Sequence, residues 1–495
     1  MMSKEKYKLH PVTAIINVVK ALRDLLIPII IIVAANGFNI NLDYRSETFF
    51  SEMIPLFILV IVLSVTVVSG LIKWWTFVYW FEDSELRVEY GLFIKKKRYI
   101  PFDRIQNLNY KEGIFHRLFK LVQVQVETAG SKDGKPEAEL TAVTKAAADE
   151  VEIQMKKAKT KQKLPVESDL VQVAEEEEPE PASVILHKMK VPELLLLATT
   201  SSGVGVVLAG VFAVLSQFAE FIPFDLIYDE LAFLVEYGYI VVMILIALAL
   251  ILAWGVSVGL TFLNYYNFTV CKQHDRLIIT RGLIEKKRVT IPLNRVQAIK
   301  LAENPFQQLL GLASVAVESA GGGFSGENDK KIILFPLIAK KEVFAPLAEL
   351  FPEYDFQVNQ IVQPPKKAQP FFYRIDFVWL VPLIGAVSYF FYPYGLLSLL
   401  LIIPIILLGR WQFKTTGFTV KDQQITIVSR LVSRVTFYAL KKRVQITQGS
   451  QTYFQKRRNI GSVKIIVMSG IAGASATARH VEQLEVEKIL TWYEH

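Results

Sequence analysis

A block of forty residues, Gly282 to Gly321, has a second copy 191 residues earlier in unbroken register. GLFIKKKRYIPFDRIQ, from Gly91, lies over GLIEKKRVTIPLNRVQ, from Gly282, and Gly91, Leu92, Lys95, Lys96, Ile100, Pro101, Arg104 and Gln106 each meet an identical residue. Further along, Phe115, Leu118, Leu121, Val124, Val126, Glu127, Ala129 and Gly130 meet Phe306, Leu309, Leu312, Val315, Val317, Glu318, Ala320 and Gly321. A weaker third copy sits 148 residues downstream, where Arg443, Val444 and Gln445 answer Arg295, Val296 and Gln297, and Phe454, Gln455, Ser462 and Val463 answer Phe306, Gln307, Ser314 and Val315. Self-similarity at this scale makes each copy one structural unit, so the chain reads as a triplication.

Between the copies the chain is apolar. Of 495 residues 52% are hydrophobic, and the excess is concentrated in blocks: Ile54 to Ile72, Leu194 to Ser216, Gly238 to Phe262 and Phe377 to Leu408. A run of roughly 18 apolar residues can cross the hydrocarbon core of a bilayer, and a buried soluble helix rarely stays uncharged for so long. An earlier segment, broken by Lys20, Arg23 and Asp24, leads to LLIPIIIIVAANGF; it is expected to lie in the interface and then cross. The last block is uncharged for 32 residues but carries the turn signal Pro393, Tyr394, Gly395 near its middle, which leaves a short hairpin or a re-entrant one. Lys73, Trp74 and Trp75 mark the boundary of the second segment.

Each hairpin precedes a polar unit. LRVEYGLF, KKRYIPF, VQVQVET and AELTAV alternate as strands do, and Lys145 to Thr160 then turns helical, so each unit is a small barrel or sandwich closed by one helix. The expected division is a first hairpin over 11–80, unit one over 81–163, an acidic disordered linker over 164–185, a second hairpin over 186–264 and unit two over 265–358. A linker over 359–370, a third hairpin over 371–411 and a divergent unit three over 412–495 complete it. Residues 165–183 hold seven acidic side chains and no basic one, a composition that cannot bury a core. The loop Gln217 to Glu236 holds Glu220, Asp225, Asp229, Glu230 and Glu236 without a lysine or arginine, which puts it outside and the units and both termini in the cytoplasm. The net charge of +8 is uneven: Arg410 to His495 has 14 basic and five acidic residues.

The residues exclude most chemistry. Gly321, Gly323 and Gly326 form a GxGxxG string, but a strand pattern follows where a dinucleotide site needs a helix, so it reads as a hairpin tip. Six histidines have no metal-ligand spacing, and the single Cys271 lies on a strand pattern as a buried thiol; no cofactor, metal or catalytic group is expected. What recurs is basic charge at one place in the repeat: Lys95, Lys96, Lys97 and Arg98, then Lys286, Lys287 and Arg288, then Arg434 with Lys441, Lys442 and Arg443. Lys456, Arg457 and Arg458 add a further cluster. These groups suit the headgroups of an anionic leaflet or form a solvated strand face; nucleic acid is not expected, because no basic helix or aromatic RNA-binding pattern accompanies them. Arg104, Arg295 and Arg443 recur in all three copies and either bind a ligand or tie a strand to a neighbouring unit.

With G-L-x-x-x-K-K/R, I-P, R-[IV]-Q, F-x-x-L-x-x-L and V-x-V-E-[ST]-A-G behind a membrane hairpin, the chain resembles the bacterial pleckstrin-homology-like (PH-like) membrane family, in its three-unit, YdbT-type form. The third unit departs from the pattern, lacking the Gly-Leu and Ile-Pro elements. The resemblance implies an α+β polytopic membrane protein: three repeats of a transmembrane helical hairpin plus a cytoplasmic PH-like split β-barrel with a C-terminal helix. It implies a smaller PH-like-domain membrane protein as partner, a role in cell-envelope defence or antimicrobial-peptide resistance, and no catalytic residues. The expected function is therefore non-catalytic, with the units serving as protein–protein or lipid-headgroup contacts in a plasma-membrane complex. The alternative is a transporter whose six helices form the pathway, against which the near absence of intramembrane charge and of an ATP site speaks.

Overall fold

The computed structural model describes residues 6–35, 49–92, 94–128, 136–161, 184–200, 239–320, 332–357, 360–469 and 473–494. In the first unit β1 (Tyr7–Lys8) precedes two helices, α1 (Val12–Ala35) and α2 (Phe49–Thr76). Then follow β2 (Val78–Glu82), β3 (Glu85–Tyr90), β4 (Lys96–Pro101), β5 (Ile105–Glu112), the one-turn α3 (Ile114–Leu118), β6 (Leu121–Thr128), β7 (Ala138–Thr144) and α4 (Lys145–Lys161). The second unit repeats the order with β8 (Val184–Lys188), α5 (Val191–Thr200), α6 (Tyr239–Tyr265), β9 (Thr269–Gln273), β10 (Arg276–Arg281) and β11 (Lys286–Pro292). It continues with β12 (Val296–Glu303), α7 (Pro305–Leu309), β13 (Leu312–Ser319), β14 (Ile332–Ala339) and α8 (Phe344–Leu350). The third has α9 (Arg374–Phe390), α10 (Ile402–Thr415), β15 (Gly417–Lys421), β16 (Gln424–Arg430), β17 (Arg434–Leu440) and β18 (Val444–Ser450). It closes with α11 (Tyr453–Lys456), β19 (Ile460–Val467), β20 (Ala474–Glu482) and α12 (Gln483–Glu494).

Alternation builds each core. Leu86, Val88, Ile100, Val124, Val126 and Leu140 turn inward from their strands and meet Val151 and Met155 of α4, so the closing helix plugs the strands as its composition predicts. The same residue of the repeat turns the first hairpin in all three units: Asp83, His274 and Asp422 hold φ of 52°, 52° and 49°. The divergent third copy therefore keeps the backbone of the other two.

Among the described residues three helical stretches, Phe57–Thr76, Ala247–Tyr265 and Gly395–Thr415, are long and apolar enough to cross a membrane. Each runs straight into the first long strand of a unit, and the turn two strands on grips its end. The Gly91 N–H donates to Thr76 Oγ1 at 3.1 Å, and the Gly282 and Leu283 N–H groups donate to the Tyr266 and Leu263 carbonyls, both at 2.9 Å. Glycine is required at this turn: φ is +106° at both positions, and a Cβ would stand 2.2 Å from the Ile94 oxygen or 2.1 Å from that of Glu285. At Pro393–Gly395, where the sequence predicts a turn, α9 has ended and the chain reverses, with a Gly395 Cβ position only 2.2 Å from the Val387 oxygen.

The expected boundaries shift at two places. Residues 184–188, divided between the linker and the second hairpin, form β8, which pairs with β9; β1 pairs with β2 in the same way. The stretch 359–370 likewise adds Val362, bridged to Phe418 by N–H to carbonyl bonds of 2.8 and 3.1 Å, to the edge of β15. Each hairpin is thus stitched at its base, the strand before it pairing with the strand after it. The acidic run, the loop 217–236 and the GxGxxG tip lie outside the described residues.

The units are not separate barrels. Strand order in the sheets is β1-β2-β3-β4, then β7-β6-β5-β11-β10-β9-β8, then β14-β13-β12-β17-β16-β15, and last β18-β19-β20. The second half of each unit therefore shares a sheet with the first half of the next. Cores interlock accordingly: Tyr438 and Leu440 of the third unit belong to the second unit's core, and Ala298 of the second belongs to the third's.

Candidate contact site

In its second and third copies, β11 and β17, the strand that carries the repeated basic residues pairs with the preceding unit. At the first seam β5 and β11 pair antiparallel, with Glu112 opposite Lys286, Lys111 opposite Lys287 and Tyr110 opposite Arg288. The two facing lysines converge on one carboxylate: Glu285 Oε1 is 2.8 Å from Lys111 Nζ and 3.5 Å from Lys287 Nζ. The Arg288 guanidinium lies 5.7 Å from the centre of the Tyr110 ring. Arg117, on the one-turn α3, donates from Nη1 to the Leu283 carbonyl at 2.8 Å, so the first unit holds the Gly-Leu turn of the second.

At the second seam β12 and β17 pair over six residues, from Ala298 opposite Ala439 to Glu303 opposite Arg434. Glu112 and Glu303 are equivalent in the repeat, as are Lys286 and Arg434, so an acid faces a base at the same point of both seams. Lys300 reaches across to the Phe437 ring, with Nζ 5.5 Å from its centre, and pairs within its own unit with Glu318, Nζ to Oε1 at 2.6 Å. Ser469 donates to the other oxygen of Glu318.

Arg430 takes the place that glycine holds in the other two units. Its Nη2 donates to Gln308 Oε1 of the second unit at 2.9 Å, its Nε to Thr415 Oγ1 at 2.9 Å, and its guanidinium lies 3.8 Å from the centre of the Trp411 ring. The side chain does what two backbone groups do elsewhere: it joins the end of the apolar helix to the turn and to the preceding unit. Burial, then the neighbouring Arg434, lowers the pKa of this guanidinium. Neither Arg430 nor Arg117 stands out in the sequence; the signal was their position, since Arg117, Gln308 and Lys456 are equivalent in the three copies.

The remaining basic residues divide between contact and exposure. Arg443 donates from Nη2 to the Asn294 carbonyl of the second unit at 2.9 Å, Lys442 pairs with Glu353, and Lys441 stands 5.7 Å from the centre of the Trp492 ring. Arg295 is half-buried and Arg104 exposed. Lys95, just before the outer strand β4, and Lys96 and Lys97 on it are exposed, Lys97 lies 3.7 Å from Glu89, and Arg98 donates to the Glu137 carbonyl. Lys456 and Arg457 are exposed beside β18, while Arg458 donates to the Lys367 carbonyl at 2.9 Å at the base of the third hairpin.

The one-turn helices sit beside the bases of the hairpins and bare apolar side chains there. Asn304, which caps α7, donates from Nδ2 to the Thr200 carbonyl of α5 at 2.7 Å, and the His10 and Phe119 rings lie 6.3 Å apart. Leu118 is 74% and Leu309 84% exposed.

One buried acid differs between seams. Glu318 faces Lys300, but its equivalent Glu127 meets Asn109 Nδ2 at 3.0 Å and Asn107 Nδ2 at 3.4 Å instead. Burial raises the Glu127 carboxyl to about 8 despite those two hydrogen bonds. Among the described residues no three His, Cys, Asp or Glu side chains are grouped to hold a metal ion.

A sequence profile of the bacterial PH domain matches residues 27–159, 193–350 and 377–495. The chain belongs to the bacterial PH domain family. It is 35% identical over 502 residues to UPF0699 transmembrane protein YdbT of Bacillus subtilis (strain 168), covering 100% of this chain and 99% of that one. No solved structure matches it. Three PH-like units and the transmembrane character of the relative agree with the triplication and with the three long apolar helices.

Proposed function

We propose that this is a non-catalytic scaffold of the plasma membrane, in which six membrane segments in three hairpins carry PH-like units on the cytoplasmic face. The units act first as protein–protein contacts. The observation that carries this reading is that one PH-like unit twice adds a strand to the sheet of another: β11 pairs with β5, and β17 with β12. Lipid is the second contact. Lys95 to Lys97, Lys456 and Arg457 stay exposed, and Leu118 and Leu309 stand bare beside the hairpins, a pairing of charge and apolar tips that suits an anionic leaflet. A smaller PH-like membrane protein is the proposed partner, and protection of the cell envelope against membrane-active peptides the proposed role.

Affinity purification of the protein at its native level in mild detergent, with mass spectrometry of what accompanies it, tests the complex. A stoichiometric membrane protein bearing a PH-like unit is the expected result; a clean monomer refutes the scaffold reading.

A further inference from the structure

Two seams inside the chain define what a third would look like. Each joins a strand of the β5 and β12 type to a strand of the β11 and β17 type in the following unit. The third unit has the first of these, β18, and among the described residues it lies at the edge of its sheet, paired on one side alone, with β19. Gln297 and Ala298 of β12 are 7% and 0% exposed beneath β17. Their equivalents on β18, Gln445 and Ile446, are exposed, Ile446 to 51%. Ala298 is packed in the core of the next unit, so Ile446 is an apolar residue whose equivalent is buried by a neighbour. The strand VQITQGS also lacks the charges and prolines that protect most free edges from pairing. Lys456, beside it, stands where Arg117 and Gln308 clasp the turn of a following unit.

We propose that β18 is the docking edge for a fourth PH-like unit, carried by a separate chain, which adds the strand after its own second turn in the register of the two existing seams. The idea rests on the complex proposed above and names the surface and the kind of strand that fits it. The occupant is not the β4 edge of a second copy. In the register of the existing seams that pairing brings the basic run Lys95 to Arg98 beside Lys456 and Arg457, and the uncharged Gln451 stands where Glu112 and Glu303 lie opposite a base at the other seams. Like charges brought together across an interface reject the wrong partner. The partner's strand is therefore neutral or acidic where this chain's first unit is basic.

The test is photo-crosslinking of the full-length protein in its own membranes, with benzoylphenylalanine replacing Gln448 and, as control, the exposed Glu349 of α8. We expect an adduct with one other chain at position 448 alone, its crosslinked peptide lying on the strand that follows the second turn of a PH-like unit. Ile446→Lys, at a half-exposed site that leaves this chain's own fold intact, lowers that adduct at least tenfold. An adduct with a second copy of this chain, or with a protein lacking a PH-like unit, overturns the proposal. If a PH-like partner co-purifies but no adduct exceeds the control, the complex stands and this edge is not its site; if neither is seen, both readings fall.

Discussion

Arg430 Nη2 and Gln308 Oε1 meet at 2.9 Å across the second seam, and the residue equivalent to Gln308 at the first seam, Arg117, meets the turn equivalent to Arg430. The two seams make one contact with donor and acceptor exchanged. Arg430 is 5% exposed and joins three elements at once. Arg430→Ala is expected to cost about 2 kcal/mol, since it strands Gln308 and Thr415 and strips the Trp411 face. Arg430→Lys restores little of this, because an ammonium cannot fork between two acceptors while stacking. Thermal unfolding of the purified protein in detergent measures both.

Glu285 neutralises two lysines that face each other across the first seam. Glu285→Ala leaves Lys111 opposite Lys287 and is expected to destabilise by about 1 kcal/mol at low ionic strength. Raising salt toward 1 M, where screening acts within roughly 3 Å, narrows the gap from the unsubstituted protein. A gap indifferent to salt contradicts the electrostatic account.

The Gly-Leu turn tolerates no side chain. Gly282→Ala places a Cβ 2.1 Å from the Glu285 oxygen at a φ of +106°, and the backbone must shift at the point where α6, β10 and Arg117 meet. The expected loss exceeds about 2 kcal/mol. Limited proteolysis is expected to cut within 282–286 in the variant and not in the unsubstituted protein.

Stability depends on pH through Glu127. Its folded carboxyl is raised to about 8 from the ordinary 4.5, so the folded state holds a proton that the unfolded chain gives up. The contribution is complete below pH 4.5, declines as pH rises and is gone above about 8. Glu127→Gln cannot ionise and is expected to flatten this slope, making the variant the more stable at pH 8 by on the order of 3 kcal/mol. Unfolding curves at pH 5 and pH 8 decide it: parallel behaviour of the two proteins at both values contradicts a buried, protonated Glu127.

The units were legible because their inward residues alternate and because Gly91 and Gly282 mark the same turn. That those units share sheets was not. A strand such as KKRVTIP reads the same whether its outer edge meets water or another strand, since pairing across an edge is carried by backbone groups common to all residues. The bases on it therefore suited lipid headgroups and a solvated strand face alike, and their spatial neighbours Glu112 and Glu285 are visible only in the structure. For Arg443 the sequence allowed either a ligand or a tie to a neighbouring unit; its bond to Asn294 is a tie. The strand Val184–Lys188 was hidden because three apolar residues beside a membrane segment look like its beginning.

Sharing sheets also sets an order on synthesis. Lys286 leaves the ribosome 174 residues after Glu112, an interval of about 10 to 35 s at ordinary elongation rates. Throughout it, β5 offers an open edge while the second pair of helices is being made. The same exposure then passes to β12 until β17 arrives. Each of the first two units is thus finished by the next, while the third keeps β18 at the edge of its sheet. An edge strand of this kind is the feature by which quality-control proteases recognise chains whose assembly is unfinished.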